Sequence, residues 1–286
     1  MNKILVPTDF STEAGFALDA AISLAARTGA KILLLHVVEG FIPGSFATQG
    51  GIPENLSEEA FMIQLMEKGK RDLASLVGSK NLENRNVVTK IKVGNPYHHI
   101  AQDILDDKAD LVIMGSQGTS GYEEVLIGSN TERVVRHSKC PVITIKQPVD
   151  FNQITDVVFA ASFLETEDNV AKEIKKLQHI LDAKLHLLKV DTPYNFESSR
   201  TVKNRIRSFV ERHRLENYTI EIYNEATEED GIVYFAEDID ADMIAMATHG
   251  KTGLRHLLSG SIAEDVVNHA QRPVWTCRLD KVHGKK

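Results

Sequence analysis

The sequence predicts an α/β protein of two tandem domains, each a five-stranded parallel sheet with helices on both faces. Short apolar runs of strand length alternate along the chain with segments of helical pattern, which is typical of this fold class. A glycine pattern recurs 132 residues further along, and a length of 286 residues suits two domains better than one. We therefore place one domain at residues 1–147 and a second at residues 153–280.

Local signals set the elements of the first half. Residues 3–6 form a short apolar strand, and Ser11 is placed to cap a helix over residues 12–28 that Gly29 ends. Residues 31–38 are a nearly continuous apolar run, as expected for a strand covered on both faces. The remaining predicted elements are a helix over 57–77, a strand over 86–93, a helix from Pro96 to 107, a strand over 111–114, a helix over 130–137 and a strand over 142–146.

The second half repeats this order. Its predicted strands cover residues 157–160, 184–190, 218–223, 243–246 and 274–278, and its helices cover 169–181, 199–211, 230–237 and 263–269. Alternating strands and helices imply parallel sheets with right-handed crossovers. In such sheets ligands bind at the carboxyl ends of the strands.

The repeat is clearest near the end of each half. Residues 128–142 read GSNTERVVRHSKCPV and residues 260–274 read GSIAEDVVNHAQRPV, with eight of fifteen positions identical. Upstream, AKILLLHV at 30–37 matches AKLHLLKV at 183–190 with an offset of 153, so the second half is 21 residues shorter between these landmarks. We assign the difference to the glycine- and proline-rich residues 40–55, for which a lid over a ligand and a plain connector both remain open.

Composition narrows the function classes. The formal net charge of −7 gives no global basic surface for nucleic acid, and no apolar run reaches the length of a membrane span. The two cysteines, Cys140 and Cys277, do not occupy equivalent positions of the repeat, and we expect them to be reduced thiols. We expect a cytoplasmic protein that binds neither nucleic acid nor membranes.

The recurring glycine pattern is the main functional motif. In the first half Gly115, Gly118, Gly128 and Ser129 lie between a predicted strand and a predicted helix. Glycines in this position allow main-chain N–H groups to approach a phosphate, and a Gly-Ser pair at a helix start adds a hydroxyl and a favourable dipole. A plain strand–turn–helix connection with a serine cap explains the glycines alone equally well.

Three segments in order add a family resemblance. KILVPTDFS at the start, the G-x2-G-x9-G-S pattern and RHSKCPV near the end of the first half together resemble the universal stress protein family. The resemblance covers essentially the whole chain as two tandem copies. It implies a Rossmann-like fold of the adenine nucleotide alpha hydrolase-like type and a site for ATP.

The resemblance also implies which residues of the first half form that site. Pro7, Thr8 and Asp9 would lie beside the adenosine, and the main chain of Val38 would read the adenine. The glycines would border the ribose and phosphates, and the following helix would receive the phosphates. The implied ATP site comprises Pro7, Thr8, Asp9, Val38, Met114, Gly115, Gly118, Gly128, Ser129, Asn130 and Thr131. An accompanying Mg²⁺ ion would be held by the phosphates, because no carboxylate cluster is apparent and no protein side chain is assigned as a metal ligand.

The second half departs from the motif on the adenosine side. Ala160, Ala161 and Ser162 replace Pro-Thr-Asp, Asp191 stands where Val38 stands, and Ala247 replaces the first glycine, where its Cβ is expected to crowd the ligand. A phosphate site is still available from Gly250, Gly260, Ser261, Ile262 and Ala263. We therefore expect the first half to hold the nucleotide.

The preferred interpretation is an ATP-binding regulatory module of the stress response. No nucleophile–base pair is apparent, so no catalytic residue is assigned and slow ATP hydrolysis is left open. The alternatives are an interaction scaffold that binds no nucleotide and a genuine nucleotide hydrolase or transferase. Family dimers pair through the last strand, so the resemblance implies that the two halves pack as an intramolecular pseudo-dimer; a further homodimer is left open.

Overall fold

The computed structural model describes residues 1–39, 58–82, 85–116, 127–248 and 262–279. The predicted 40–55 segment, Gly118, Gly250, Gly260 and Ser261 lie outside these ranges. The strands are β1 (Lys3–Thr8), β2 (Lys31–Val38), β3 (Val87–Val93), β4 (Leu111–Gly115), β5 (Val142–Ile145), β6 (Asp156–Ala160), β7 (Lys184–Asp191), β8 (Tyr218–Asn224), β9 (Met243–Thr248) and β10 (Val274–Arg278). The helices are α1 (Thr12–Thr28), α2 (Glu58–Ser79), α3 (Pro96–Asp106), α4 (Ser129–His137), α5 (Asp168–Leu181), α6 (Ser199–His213), α7 (Glu228–Asp238) and α8 (Ile262–His269).

The ten strands form one continuous sheet in the order β3-β2-β1-β4-β5-β10-β9-β6-β7-β8. Pairings within each half are parallel, and the same strand order occurs in both halves. Strands β5 and β10 pair antiparallel, with Trp275 opposite Ile143. The predicted fold class of two tandem Rossmann-like domains is confirmed, and the two five-stranded sheets are joined edge to edge.

Capping residues explain several element boundaries. The Ser11 side chain accepts from the amide of Ala14 at the start of α1, and Gly29 ends that helix with a φ of 70°. Asn95 caps α3, which has Pro96 in its first turn. Helix α7 begins at Glu228, two residues earlier than predicted, because Thr227 provides a cap that the sequence reading overlooked.

The core differs between the two faces of the sheet. On one face a single apolar cluster runs beneath α1, α2, α5 and α6 and so spans both halves. On the other face one cluster lies under α3 and α4 and a separate one under α7 and α8. Phe151, from the connection between the halves, is fully buried in the shared cluster. The halves therefore share a hydrophobic core as well as a sheet.

Arg27 adds a polar connection between the halves on the shared face. Its guanidinium donates to the carbonyls of Ile180 and Leu181 at the end of α5, at 3.0 and 3.1 Å, and to that of Phe151 at 3.2 Å. The last carbonyls of a helix have no partner within the helix, so the arginine of one half completes a helix of the other. Among the described helices, none is long and apolar enough to cross a membrane.

Candidate functional site

The predicted site residues of the first half meet at one edge of the sheet. Strand β1 pairs with β2 on one side and β4 on the other, so their carboxyl ends lie next to one another. The chain turns from β1 to β2 on one side and from β4 to β5 on the other, and parallel α/β sheets form ligand crevices between two such strands. This edge carries Pro7, Thr8 and Asp9 from β1, Val38 from β2, and Met114 and Gly115 from β4, with Gly128, Ser129, Asn130 and Thr131 at the start of α4.

The turn between β1 and α1 presents Asp9 to solvent. The Asp9 Oδ1 atom accepts from the amide and the hydroxyl of Ser11, at 3.0 and 2.6 Å. Phe10 has a φ of 65° and donates its amide to the Thr8 hydroxyl at 3.1 Å. Thr8 is buried, and its carbonyl accepts from Nδ1 of His36 at 2.9 Å. Thr8 thus shapes the turn from within, whereas Asp9 presents an exposed carboxylate at this edge.

Val38 closes the neighbouring strand and is 6% exposed. Its carbonyl already accepts from the amide of Gly94 at 2.9 Å. A carbonyl oxygen has two lone pairs, so this contact leaves capacity for one more donor. The side chain of Val38 offers only apolar surface, and any polar recognition at this position must use the main chain.

Gly115 has a packing role that the sequence did not reveal. A Cβ on Gly115 would lie 2.9 Å from the carbonyl carbon of Glu13 and 3.1 Å from the nitrogen of Ala14, in the first turn of α1. The glycine therefore lets α1 approach the end of β4. The carbonyl of Gly115 accepts from the buried hydroxyl of Thr131 at 3.0 Å, which fixes the start of α4 to the strand. Both residues organise the edge through contacts inside the protein.

Helix α4 begins without a side-chain cap. Ser11, Asn95, Ser198 and Thr227 cap α1, α3, α6 and α7 with their side chains, but the N-cap of α4 is Gly128, which makes no such bond. The amides of the first turn of an α-helix have no partner within the helix, and the helix dipole is positive there. An anion is thus favoured at the exposed Ser129 end of α4.

A second unsatisfied group lies beside the start of α4. Ser116 is 1% exposed, and its hydroxyl has no hydrogen-bond partner in the described part of the chain. Its carbonyl accepts from the amide of Gly128 at 2.8 Å. Thr248, its counterpart in the repeat, has a buried hydroxyl in the same condition. Ser116 was not predicted as a site residue, because nothing in its sequence neighbourhood separates it from an ordinary loop serine.

In the second half, a buried carboxylate accepts hydrogen bonds at the turn that corresponds to the β1–α1 turn. Phe163 has a φ of 58° and so reproduces the left-handed turn of Phe10. Glu167, only 2% exposed, then accepts from the amides of Ser162 and Leu164, at 3.2 and 3.0 Å. A buried acceptor of the chain itself holds these donors, and its negative charge opposes a phosphate nearby. No sequence signal pointed to Glu167.

Charged side chains also occupy the second half at the end of β7. Lys189 and Asp191 stand where the first half has His36 and Val38, and their charged groups lie 3.6 Å apart with both side chains buried. Asp191 Oδ1 makes no hydrogen bond within the described residues, so the two side chains are held together by charge alone. The adenosine side of the second half therefore differs chemically from that of the first.

Ala247 replaces a glycine whose role in the first half is packing, because its counterpart Gly115 faces α1. The expectation that the Ala247 Cβ crowds a ligand stays a prediction. The second half replaces the first turn of α1 with a short 3-10 turn over Glu165–Glu167, and Ala247 packs against the shared core. Ile262 and Ala263 begin α8, and Ala263 lacks the hydroxyl with which Thr131 ties α4 to its strand.

An ion pair joins helix α4 of the first half to helix α8 of the second half. The Arg136 guanidinium of α4 makes two contacts of 2.6 Å with the Glu264 carboxylate of α8. These hydrogen bonds raise the pKa of Arg136 above its ordinary value, against the lowering effect of burial. Within the described ranges, no group of three or more His, Cys, Asp or Glu side chains could hold a metal ion.

The fold and this edge define a class of protein: a tandem, doubly wound α/β protein with an anion-favouring helix start at its switch point. The universal stress protein family model matches residues 1–146 and 154–278, and the chain belongs to that family. Two universal stress proteins of Methanocaldococcus jannaschii are similar to it. One is 33% identical over 154 residues, covering 51% of this chain and 95% of that protein. The other is 31% identical over 147 residues, covering 51% and 83%.

Solved structures extend the likeness to the whole chain. The crystal structure of a universal stress protein from Archaeoglobus fulgidus superposes with a TM-score of 0.74 at 21% identity, covering 97% of this chain and 98% of that one. A functionally unknown protein from Pseudomonas aeruginosa gives a TM-score of 0.65 at 16% identity, covering 98% and 93%. At these identities the likeness establishes the tandem fold alone.

Proposed function

We propose that this chain is a cytoplasmic regulatory module that binds one adenine nucleotide, ATP, at the carboxyl edge of its first half. The observation that carries the proposal is the uncapped start of α4 at the switch point of the sheet, beside the exposed Asp9. Membership of the universal stress protein family supports the same choice of ligand. Regulation by binding needs no catalytic group, and none is proposed.

Each described residue has a distinct part in this proposal. The amides of Ser129, Asn130 and Thr131 receive the phosphates at the positive end of the α4 dipole. Asp9 accepts from ribose hydroxyls, which are donors that suit a carboxylate. The main chain of Val38 reads the adenine edge. A Mg²⁺ ion, when present, is held by the phosphates.

Binding is confined to the first half. In the second half Ser162 stands in place of Asp9, and the buried Lys189–Asp191 pair stands at the positions of His36 and Val38. The second half instead acts as the partner in an intramolecular pseudo-dimer, an arrangement supported by the antiparallel β5–β10 pairing and the shared core. It also covers a sheet edge that would otherwise be open to aggregation.

Calorimetry with Mg-ATP tests the proposal on the full chain and two matched variants. We expect one nucleotide per chain. Ser129→Asp places a carboxylate at the α4 start, which favours the helix but repels phosphate, and we expect affinity to fall at least tenfold, about 1.4 kcal/mol. Ser261→Asp, the same change at the repeat position, should leave affinity and stoichiometry unchanged.

Three results would contradict the proposal. The absence of ATP binding by the parent chain would favour the interaction scaffold. A second bound nucleotide that Ser261→Asp removes would place a site in the second half. ATP turnover above about 1 s⁻¹, ordinary for an enzyme, would favour a hydrolase.

A further inference from the structure

Ile127, two residues before the start of α4, is held by the other half of the protein. The amide of Ile127 donates to the side-chain Oδ1 of Asn268, on α8, at 2.7 Å. The next amide, that of Gly128, donates to Ser116 within the first half. The chain therefore enters α4 with one amide fixed by each half, immediately before the first-turn amides that carry the proposed phosphate site.

Asn268 is itself firmly placed. Its main-chain carbonyl accepts from the Nζ atom of Lys146, at the end of β5, at 2.5 Å. One α-helical turn earlier on α8, Glu264 holds Arg136 of α4 through two hydrogen bonds. Contacts at Asn268 and one turn before it thus bind α8 to the first half. They fix the Asn268 side chain against the start of α4.

The repeat shows that this support runs in one direction only. At the offset of 132 residues, the counterpart of Asn268 in the first half is Arg136. An arginine side chain has donors and no acceptor, so it cannot receive a main-chain amide as Asn268 does. The half with the intact nucleotide motif therefore receives a support that Arg136 cannot return from the repeat position.

We infer that Asn268 of the second half is a positioning residue for phosphate binding by the first half. This inference rests on the proposed function. By holding the Ile127 amide, Asn268 orients the chain at Gly128 before ligand arrives, so that binding does not have to order this segment. The second half then has a role in nucleotide binding that the first half could not fulfil alone.

The expected effect follows from one hydrogen bond. A hydrogen bond of this kind contributes about 0.5–1.5 kcal/mol, which corresponds to an affinity change of about two- to twelvefold. We expect Asn268→Ala to weaken ATP binding by that factor and to leave adenosine binding within twofold of the parent. Asn268→Asp retains an acceptor at Oδ1, so hydrogen exchange of the Ile127 amide should stay as slow as in the parent, although the added negative charge disfavours phosphate as it does in Ser129→Asp.

The test is calorimetry with ATP and with adenosine on the full chain, Asn268→Ala and Asn268→Asp. Gln271→Ala is the matched control, because Gln271 accepts from Gln147 of the first half at 3.1 Å and makes no hydrogen bond to residues 127–131 in the described part of the chain. Amide hydrogen exchange at Ile127 should be faster in Asn268→Ala than in the control.

The outcomes separate the two proposals. Failure of the parent to bind ATP overturns the proposed function and this inference with it. Binding by the parent together with equal ATP affinity in Asn268→Ala overturns this inference alone. Equal losses for ATP and adenosine, or exchange of the Ile127 amide as fast in Asn268→Asp as in Asn268→Ala, would mean that Asn268 does not act by holding this amide, and would also overturn it.

Discussion

Replacing Gly115 with alanine is a sharp test of how the edge is built. The new Cβ would lie 2.9 Å from both the carbonyl carbon and the Cβ of Glu13, and 3.1 Å from the nitrogen of Ala14. Two of these three atoms are main-chain atoms of α1, so no rotamer change can relieve the contact. The helix or the strand must shift, and Gly115→Ala should destabilise the fold whether or not a ligand is present.

The magnitude follows from two opposing terms. Overpacking of this kind costs about 1–3 kcal/mol, and replacing glycine restricts the unfolded chain and returns about 0.4–1 kcal/mol. The net loss is then between about 0 and 2.6 kcal/mol, and Tm should fall by up to about 10 °C, since 1 kcal/mol shifts Tm by about 2–4 °C in proteins of this approximate size. Thermal unfolding followed by circular dichroism, without nucleotide, measures the effect.

Gly15→Ala is the matched control. Gly15 lies within α1, and a Cβ there would meet nothing within 4 Å. Alanine is favoured over glycine in a helix by about 0.5–1 kcal/mol, so this variant should unfold at a higher temperature than the parent. The same chemical change thus has opposite signs at two positions. If Gly115→Ala raised Tm as Gly15→Ala should, the packing role assigned to Gly115 would be wrong.

Three further predictions concern the joint between the halves and the thiols. Arg27→Ala removes the donors to the end of α5 and should lower the free energy of unfolding by about 1–3 kcal/mol in a urea titration. A double-mutant cycle of Arg136→Ala and Glu264→Gln should give a coupling energy of about 1 kcal/mol, a modest value because Arg136 is partly exposed. Burial raises the pKa of the Cys140 thiol from 9.0 to about 11. In a Cys277→Ser variant at pH 8, the fraction of Cys140 present as thiolate should therefore be about 100-fold smaller than for a thiol with a pKa of 9.0. The alkylation rate of Cys140 should rise with pH up to about pH 11.

Each of these has a contrary result. Full retention of stability in Arg27→Ala would mean that water replaces the guanidinium at the end of α5. Strict additivity of the Arg136 and Glu264 variants would mean that the ion pair contributes nothing. A Cys140 alkylation rate that levels off near pH 9 would mean that the thiol is not shielded by burial.

Local signals in the sequence were sufficient for most elements. Helix α1 and strand β2 have the predicted bounds, because Ser11, Gly29 and an unbroken apolar run act through neighbours in sequence. The tandem arrangement followed from the repeat. The single ten-stranded sheet depends on the pairing of β5 with β10, which come together only in three dimensions. Strand lengths in the sequence could not predict that pairing.

The sequence predicted the location of the site better than the role of each residue in it. The sequence identified the glycines at the strand–helix junction, but not whether a missing Cβ faces a ligand or a helix. Glu13, the residue that decides this for Gly115, is more than a hundred positions away in the chain. The support from Asn268 likewise depends on a tertiary contact, for which no periodicity or motif exists. Glu167 acts locally, on amides three and five residues earlier, but the residue it caps, Leu164, is not one of the residue types that signal a helix start.

The central claim is that the main-chain amides at the start of α4 receive the phosphates of a nucleotide held by the first half. Amide chemical shifts in an NMR titration with Mg-ATP measure this most directly, with adenosine as the comparison ligand. We expect the largest ATP-specific shifts at Ser129, Asn130 and Thr131, and small shifts at Ile262 and Ala263. Shifts of equal size at both helix starts, or none at Ser129–Thr131 when ATP is bound, would contradict the claim.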